Sequence, residues 1–272
     1  MAIGRWQSAL LALLGLSSCL VTYPVDSSEE PVPFIHRVST TKFTIVDVGG
    51  TLPFYSTLLG MQELSRFEAP GFLDEPFMGY AQGGRIGLLA FTEYENIEKT
   101  PQAVSIVQVT NLEEIVGRFE AASRPIRLFS RAGVRLAHVT DPSGNTIELL
   151  AGEGPPRVVG ARLIVDDMLS TRAFFQRVFA IGPGTVAESD AFREVILNVG
   201  EGLFVALYEP RPAAHFPRSE QPVVAIYTTD FDGVHARVEA EGLGYRMFGE
   251  HMFLADDPSG NVVEVIRQRT EP

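Results

Sequence analysis

The chain has 272 residues, 34 of them acidic and 22 basic, with a formal net charge of -12 and 45% hydrophobic residues. Such an acidic chain lacks the broad basic surface that phosphate-backbone binding needs, so nucleic acid is excluded as a partner. Its apolar content excludes a disordered polymer, and its single cysteine excludes an internal disulfide or a cysteine-cluster zinc site.

In chain order, the first feature is an address. Arg5 and the amino terminus form a small positive region, and Ala9–Leu16 is an apolar stretch of 8 residues. That is far short of the ~20 residues a spanning helix needs, and it suits a signal-peptide core. It ends in Leu16-Ser17-Ser18-Cys19, which resembles a bacterial lipobox. Residues 1–18 are therefore expected to be a lipoprotein signal peptide and Cys19 the lipidated residue. Residues 19–34, rich in proline and acids, are expected to be a flexible tether. Leu20 in place of aspartate after Cys19 implies, by the same resemblance, an outer-membrane anchor facing the periplasm of a bacterial cell envelope.

The body repeats. Asp141-Pro-Ser-Gly-Asn145 followed by Thr-Ile-Glu148 returns 116 residues later as Asp257-Pro-Ser-Gly-Asn261 followed by Val-Val-Glu264. Phe43-Thr-Ile-Val-Asp47 before Phe54-Tyr55 returns 120 residues later as Leu163-Ile-Val-Asp-Asp167 before Phe174-Phe175. This sets a first domain at 35–152, a linker at 153–156, a second domain at 157–268 and a tail at 269–272. Within the first half, a β-branched run at Phe43–Val48 precedes a helix pattern at Leu52–Leu59. Three short apolar runs follow, at Met61–Phe67, Phe77–Ala81 and Ile86–Phe91. The order restarts at Val104–Val109 with a helix over Leu112–Ala122, then strands at Leu128, Val134–Val139 and Thr146–Leu150. The second half repeats this order, so the chain reads as four βαβββ units in an α+β fold. Gly83-Gly84 and Gly200-x-Gly202 read as hairpin turns.

The paired turn motifs, each with its following glutamate and preceding helix pattern, resemble the vicinal oxygen chelate superfamily of glyoxalases, bleomycin- and fosfomycin-resistance proteins and extradiol dioxygenases. The resemblance spans residues 40–268. It implies two tandem domains, each closing a curved sheet around a cup that holds a divalent ion in metal-dependent members. Glu148 and Glu264 match the glutamate ligand of that pattern. The first-strand ligand positions fall on Thr40 and Gly160, neither a usual ligand, and the remaining windows are apolar. The ligand set is incomplete, so no cofactor is assigned. A divalent metal would have to use Glu148, Glu264 or His138, whose strand is expected to pair with the Glu148 strand.

Lys42 and Arg162 sit at equivalent positions, on the face of the first strand that carries the vacant ligand position. They are expected to replace the metal by pairing with the glutamates, Lys42 with Glu148 and Arg162 with Glu264. Unpaired carboxylates in an apolar cup would otherwise be costly. Tyr80 and Arg85, with Phe67, Phe72 and Phe77, fall in the variable strands and are candidates for ligand contact. The favoured expectation is an envelope lipoprotein that binds a small, largely apolar molecule without a conventional metal. The alternatives are a glyoxalase-like lyase or isomerase, or a dioxygenase-type enzyme, using Glu148 or Glu264 with an unconventional metal or as acid or base, and a non-catalytic interaction lipoprotein. Oligomeric state is left open.

Overall fold

The computed structural model describes residues 35–93, 98–131 and 133–268. The signal peptide, Cys19 and the tether lie outside the described residues. Among the described residues no helix is long and apolar enough to cross a membrane.

The four expected units are present. Unit one holds β1 (His36–Thr44), α1 (Val48–Pro53), β2 (Gln62–Ala69), β3 (Leu73–Gly79) and β4 (Arg85–Phe91). Unit two holds β5 (Ser105–Val109), α2 (Leu112–Ala121), β6 (Arg127–Arg131), β7 (Val134–Thr140) and β8 (Thr146–Ala151). Unit three holds β9 (Arg157–Ile164), α3 (Met168–Val178), β10 (Thr185–Ser189), β11 (Phe192–Leu197), the short β12 (Glu201–Gly202) and β13 (Phe204–Pro210). Unit four holds β14 (Pro222–Thr228), α4 (Phe231–Glu241), β15 (Tyr245–Phe248), β16 (Met252–Asp256) and β17 (Val262–Arg267). The first strand begins earlier than its β-branched run suggests, because His36–Thr41 already pair with β14. Asp47 caps α1 by accepting from the Gly50 amide. Pro53, with no N–H to give, marks where α1 widens into a π-helical turn at Phe54–Leu58.

The sheets settle how the units pair. One sheet runs β15-β16-β17-β14-β1-β4-β3-β2, and the other β10-β11-β13-β9-β5-β8-β7-β6. Units one and four therefore build the first cup, and units two and three the second. Neither half of the sequence closes a cup of its own. The seams are antiparallel pairs of first strands, β1 with β14 and β5 with β9.

Within each half, helices and turns make the connections instead. Phe54 of unit one meets Phe119 of α2 edge-on at 5.6 Å, and both are buried. Asp141 draws its own turn together by accepting from the amides of Ser143 and Asn145. The Tyr55 hydroxyl donates to the same carboxylate at 2.9 Å, and the Asn145 side-chain amide donates to the Thr44 carbonyl at the end of β1. The second turn repeats the device, with the Asn261 amide donating to the Ile164 carbonyl at the end of β9. The Ser259 hydroxyl accepts from the amides of Asp166 and Asp167 ahead of α3.

The glycine pairs are hairpin tips, but close approach is what selects them. The tip carrying Gly200 and Gly202 lies along β1, with β12 paired to it in parallel. A Cβ on Gly200 would fall 2.0 Å from the His36 carbonyl oxygen, and one on Gly202 2.1 Å from that of Val38. Both have positive φ, so two constraints converge on glycine. The convex faces of the sheets and the helices form one apolar core containing Phe43, Ile45, Phe119, Phe174, Phe175 and Phe253. The opposite, concave faces form the cups.

Candidate functional site

Each cup floor is an ion triad. On β1, Lys42 lies opposite Gly87 of β4 and faces the concave side. Its Nζ is 3.0 Å from Glu75 Oε1 on β3 and 2.7 Å from Glu264 Oε2 on β17. On β9, Arg162 lies opposite Ala206. Its Nε donates to Glu194 on β11 at 2.7 Å, its Nη2 to Glu148 on β8 at 3.3 Å, and its Nη1 to the Ala103 carbonyl at 3.2 Å. All six charged side chains are at most 7% exposed.

The cations thus meet glutamates as expected, but the partners are exchanged. Lys42 pairs with Glu264, not Glu148, and Arg162 with Glu148, not Glu264. The cause is the crossed sheets: the last strand of a cup comes from the other half of the chain. Glu75 and Glu194 complete the triads and were absent from the expected set. Glu194 sits opposite Tyr208 of the neighbouring strand, and Glu75 follows the Asp74–Ala90 pair of β3 and β4. The signal lay in the alternation, since Glu194 adjoins the apolar run Val195–Leu197 within one strand and takes the face opposite Val195.

The electrostatics of the two floors differ. Burial works against the Lys42 ammonium, yet attraction to Glu264 and Glu75 outweighs it and holds the group above its ordinary range. Burial pushes the Glu75 carboxyl up, with Lys42 pulling it back. In the second cup burial would raise Glu148, but Arg162, His138 and Arg131 together hold it well below the usual carboxylate range. His138 Nε2 lies 3.2 Å from Glu148 Oε2, and its strand pairs with β8 in register. Its counterpart in the first cup is Leu254, opposite Glu264.

The other expected residues divide. Arg85 is on the cup face, its guanidinium 5.0 Å from the Phe77 ring centre. Tyr80 is not there: it is buried in the convex core, where its hydroxyl donates to the Leu59 carbonyl. His36 lies within β1, bonded to the Thr228 hydroxyl and the Phe179 carbonyl, and burial lowers its basicity. By strand alternation Phe67 on β2 and Phe248 on β15 face the first cup, and both are about half exposed. Phe77, Met252 and Ile266 share that face and are partly buried. A pocket of about 100 Å³ lies between the cups, lined by Lys42, Arg162, Asn145 and Asn261 among others.

Both sheets, their order and the four units invite comparison with known folds. No family sequence model and no curated protein sequence matches the chain. The structure of glyoxalase I from Zea mays superposes with a TM-score of 0.70 over 85% of this chain and 92% of that one, at 16% identity. A candidate dioxygenase from Bacillus subtilis superposes with a TM-score of 0.63 over 88% and 86%, at 14% identity. The chain has the vicinal oxygen chelate fold. At such identities the likeness is one of architecture, and the chemistry must be read from these cups.

A divalent ion of the kind that fold accommodates does not fit the residues here. It needs several His, Asp, Glu or Gln donors with positions left free for substrate. Among the described residues no three His, Cys, Asp or Glu side chains gather as a metal would require. The two carboxylates of each cup are instead bridged by a protonated side chain, and a dication would be repelled at contact distance. At the first-strand positions, Thr40 is buried with its hydroxyl on Ser39, while a Cβ on Gly160 would fall 2.3 Å from the Phe204 ring. That ring fills the space a ligating side chain would need.

Proposed function

We propose that the chain is a small-molecule-binding protein that works without a divalent ion and takes a largely apolar ligand in the first cup. The observation that carries this reading is the buried cation bridging two carboxylates in both floors. It leaves the fold's cup shape while removing its metal centre. The apolar side chains on the first cup's concave face, two of them half exposed, supply the surface such a ligand would cover. Glu148 is not disposed to act as an acid, because Arg162, the His138 hydrogen bond and Arg131 keep it ionised. The resemblance of Leu16-Ser17-Ser18-Cys19 to a lipobox extends the proposal to a binder anchored at the bacterial cell envelope.

Metal analysis tests the central claim. The body, residues 34–272, is incubated with Fe(II), Mn(II), Ni(II) or Zn(II), desalted and assayed. Far less than one equivalent per chain is expected. Stoichiometric metal that disappears in Glu264→Ala or Glu148→Ala would overturn the reading and favour a lyase or dioxygenase. Labelled palmitate should enter the full chain in bacteria and not its Cys19→Ala variant. Equal labelling of both would remove the anchor.

A further inference from the structure

The two cups share a floor plan but not a lining. By strand alternation and register, the concave face of the second sheet carries Arg127, Arg131, His138 and Arg162 together with Glu148 and Glu194. Arg162 engages both carboxylates. His138 adds to Glu148 at 3.2 Å. Arg131 is then left with a long ion pair, 3.8 Å to Glu148, and Arg127 is exposed opposite His138. In a chain of net charge -12, this cup carries more cations than anions.

Arg131 is also set against aromatic rings. It leaves β6, the last strand of the sheet, and reaches β11 near the other end, which shows how far the sheet curls. Its guanidinium carbon lies 5.1 Å from the Phe192 ring centre and 6.0 Å from that of Phe129. Phe192 stacks on Tyr208 at 5.3 Å, and Phe129 packs edge-on against His138 at 4.7 Å. Aromatic faces hold a guanidinium by its plane and leave the N–H edge free to fork onto a carboxylate or phosphonate. The Arg131 and His138 side chains are 23% and 19% exposed, so that edge is within reach of solvent.

We propose that the second cup is a separate binding site for a small aromatic anion, its carboxylate or phosphonate held by Arg131 and His138 and its ring by Phe129 and Phe192. The site rests on the metal-free reading of the cups but takes a different ligand class from the first. No equivalent can form there, since Leu254 replaces His138.

The test is calorimetric titration of the full-length chain with benzoate and phenylphosphonate, and with neutral benzamide as the matched control. Both anions are expected to bind and benzamide not to. Arg131→Leu should weaken anion binding by about tenfold or more, with Arg131→Lys intermediate because the charge remains and the fork is lost. Arg177→Leu removes a remote exposed arginine and should change nothing. Thermal melts of each variant separate lost binding from lost folding. Equal binding of benzamide and benzoate, or full anion affinity in a folded Arg131→Leu chain, would overturn the site. The titration is repeated after EDTA treatment. Anion binding that vanishes with EDTA would sink the metal-free reading instead.

Discussion

A buried cation between two carboxylates is a costly thing to leave incomplete. Desolvating three charges is tolerated in each floor only because every one has an opposite partner within 3.3 Å. Arg162→Met would leave Glu148 and Glu194 buried without their shared counterion. A loss of about 3–5 kcal/mol is expected at neutral pH. Without Arg162 the strongest influence holding Glu148 ionised is gone while its burial remains, so the deficit should shrink as pH falls and the carboxyl can take up a proton. Arg162→Met with Glu148→Leu and Glu194→Leu should recover most of the loss, as apolar replacement of a buried ion cluster often does. Urea unfolding at pH 4 and pH 7 measures all of this. A constant deficit across pH would mean that Arg162 acts through packing alone.

At the level of elements, what could be read in advance was what repeats locally. Each turn motif carries its own hydrogen bonds, and each helix pattern its own buried face, so four units were visible from spacing alone. The pairing of units was not visible, because all four first strands are rich in β-branched residues and any two could lie side by side. That one ambiguity exchanged the glutamate partners of Lys42 and Arg162. Glu75 escaped notice for a similar reason: Asp74-Glu75-Pro76 looks like an acidic loop until β3 is seen to place alternate residues in the cup. The turns also differ in the work they do. Ser259 receives two amides and bonds the Thr171 hydroxyl at 2.8 Å, whereas Ser143 receives the Val46 amide alone. Ser259→Ala should therefore destabilise by about 1–2 kcal/mol, roughly twice the effect of Ser143→Ala. Equal effects in thermal melts would show that water takes over the amides of Asp166 and Asp167.

For the whole molecule, two sets of connections are crossed. Sheets join units across the halves, while helices and turns join units within them. Cutting the chain at the 153–156 linker would leave residues 35–152 with intact helix contacts, and with β1 still on β4 and β5 still on β8, but with the opposite edges of β1 and β5 stripped of β14 and β9. Those strands are buried on both faces and central in their sheets, so a lone half would expose two apolar edges and the floor residues Lys42, Glu75 and Glu148. Lys42 would lose Glu264, and Glu148 would lose Arg162. A second copy of the same half can restore both seams, because β5 of one copy can take the place of β14 against β1 of the other. It would also bring Glu148 to Lys42, the pairing that the sequence alone suggested. The expected outcome is that residues 35–152, expressed alone, are either insoluble or dimeric by light scattering. In the dimer, Glu148→Leu should weaken association. A monomeric half that unfolds cooperatively would show that the within-half contacts suffice, and that the crossed sheets are not what holds the fold together.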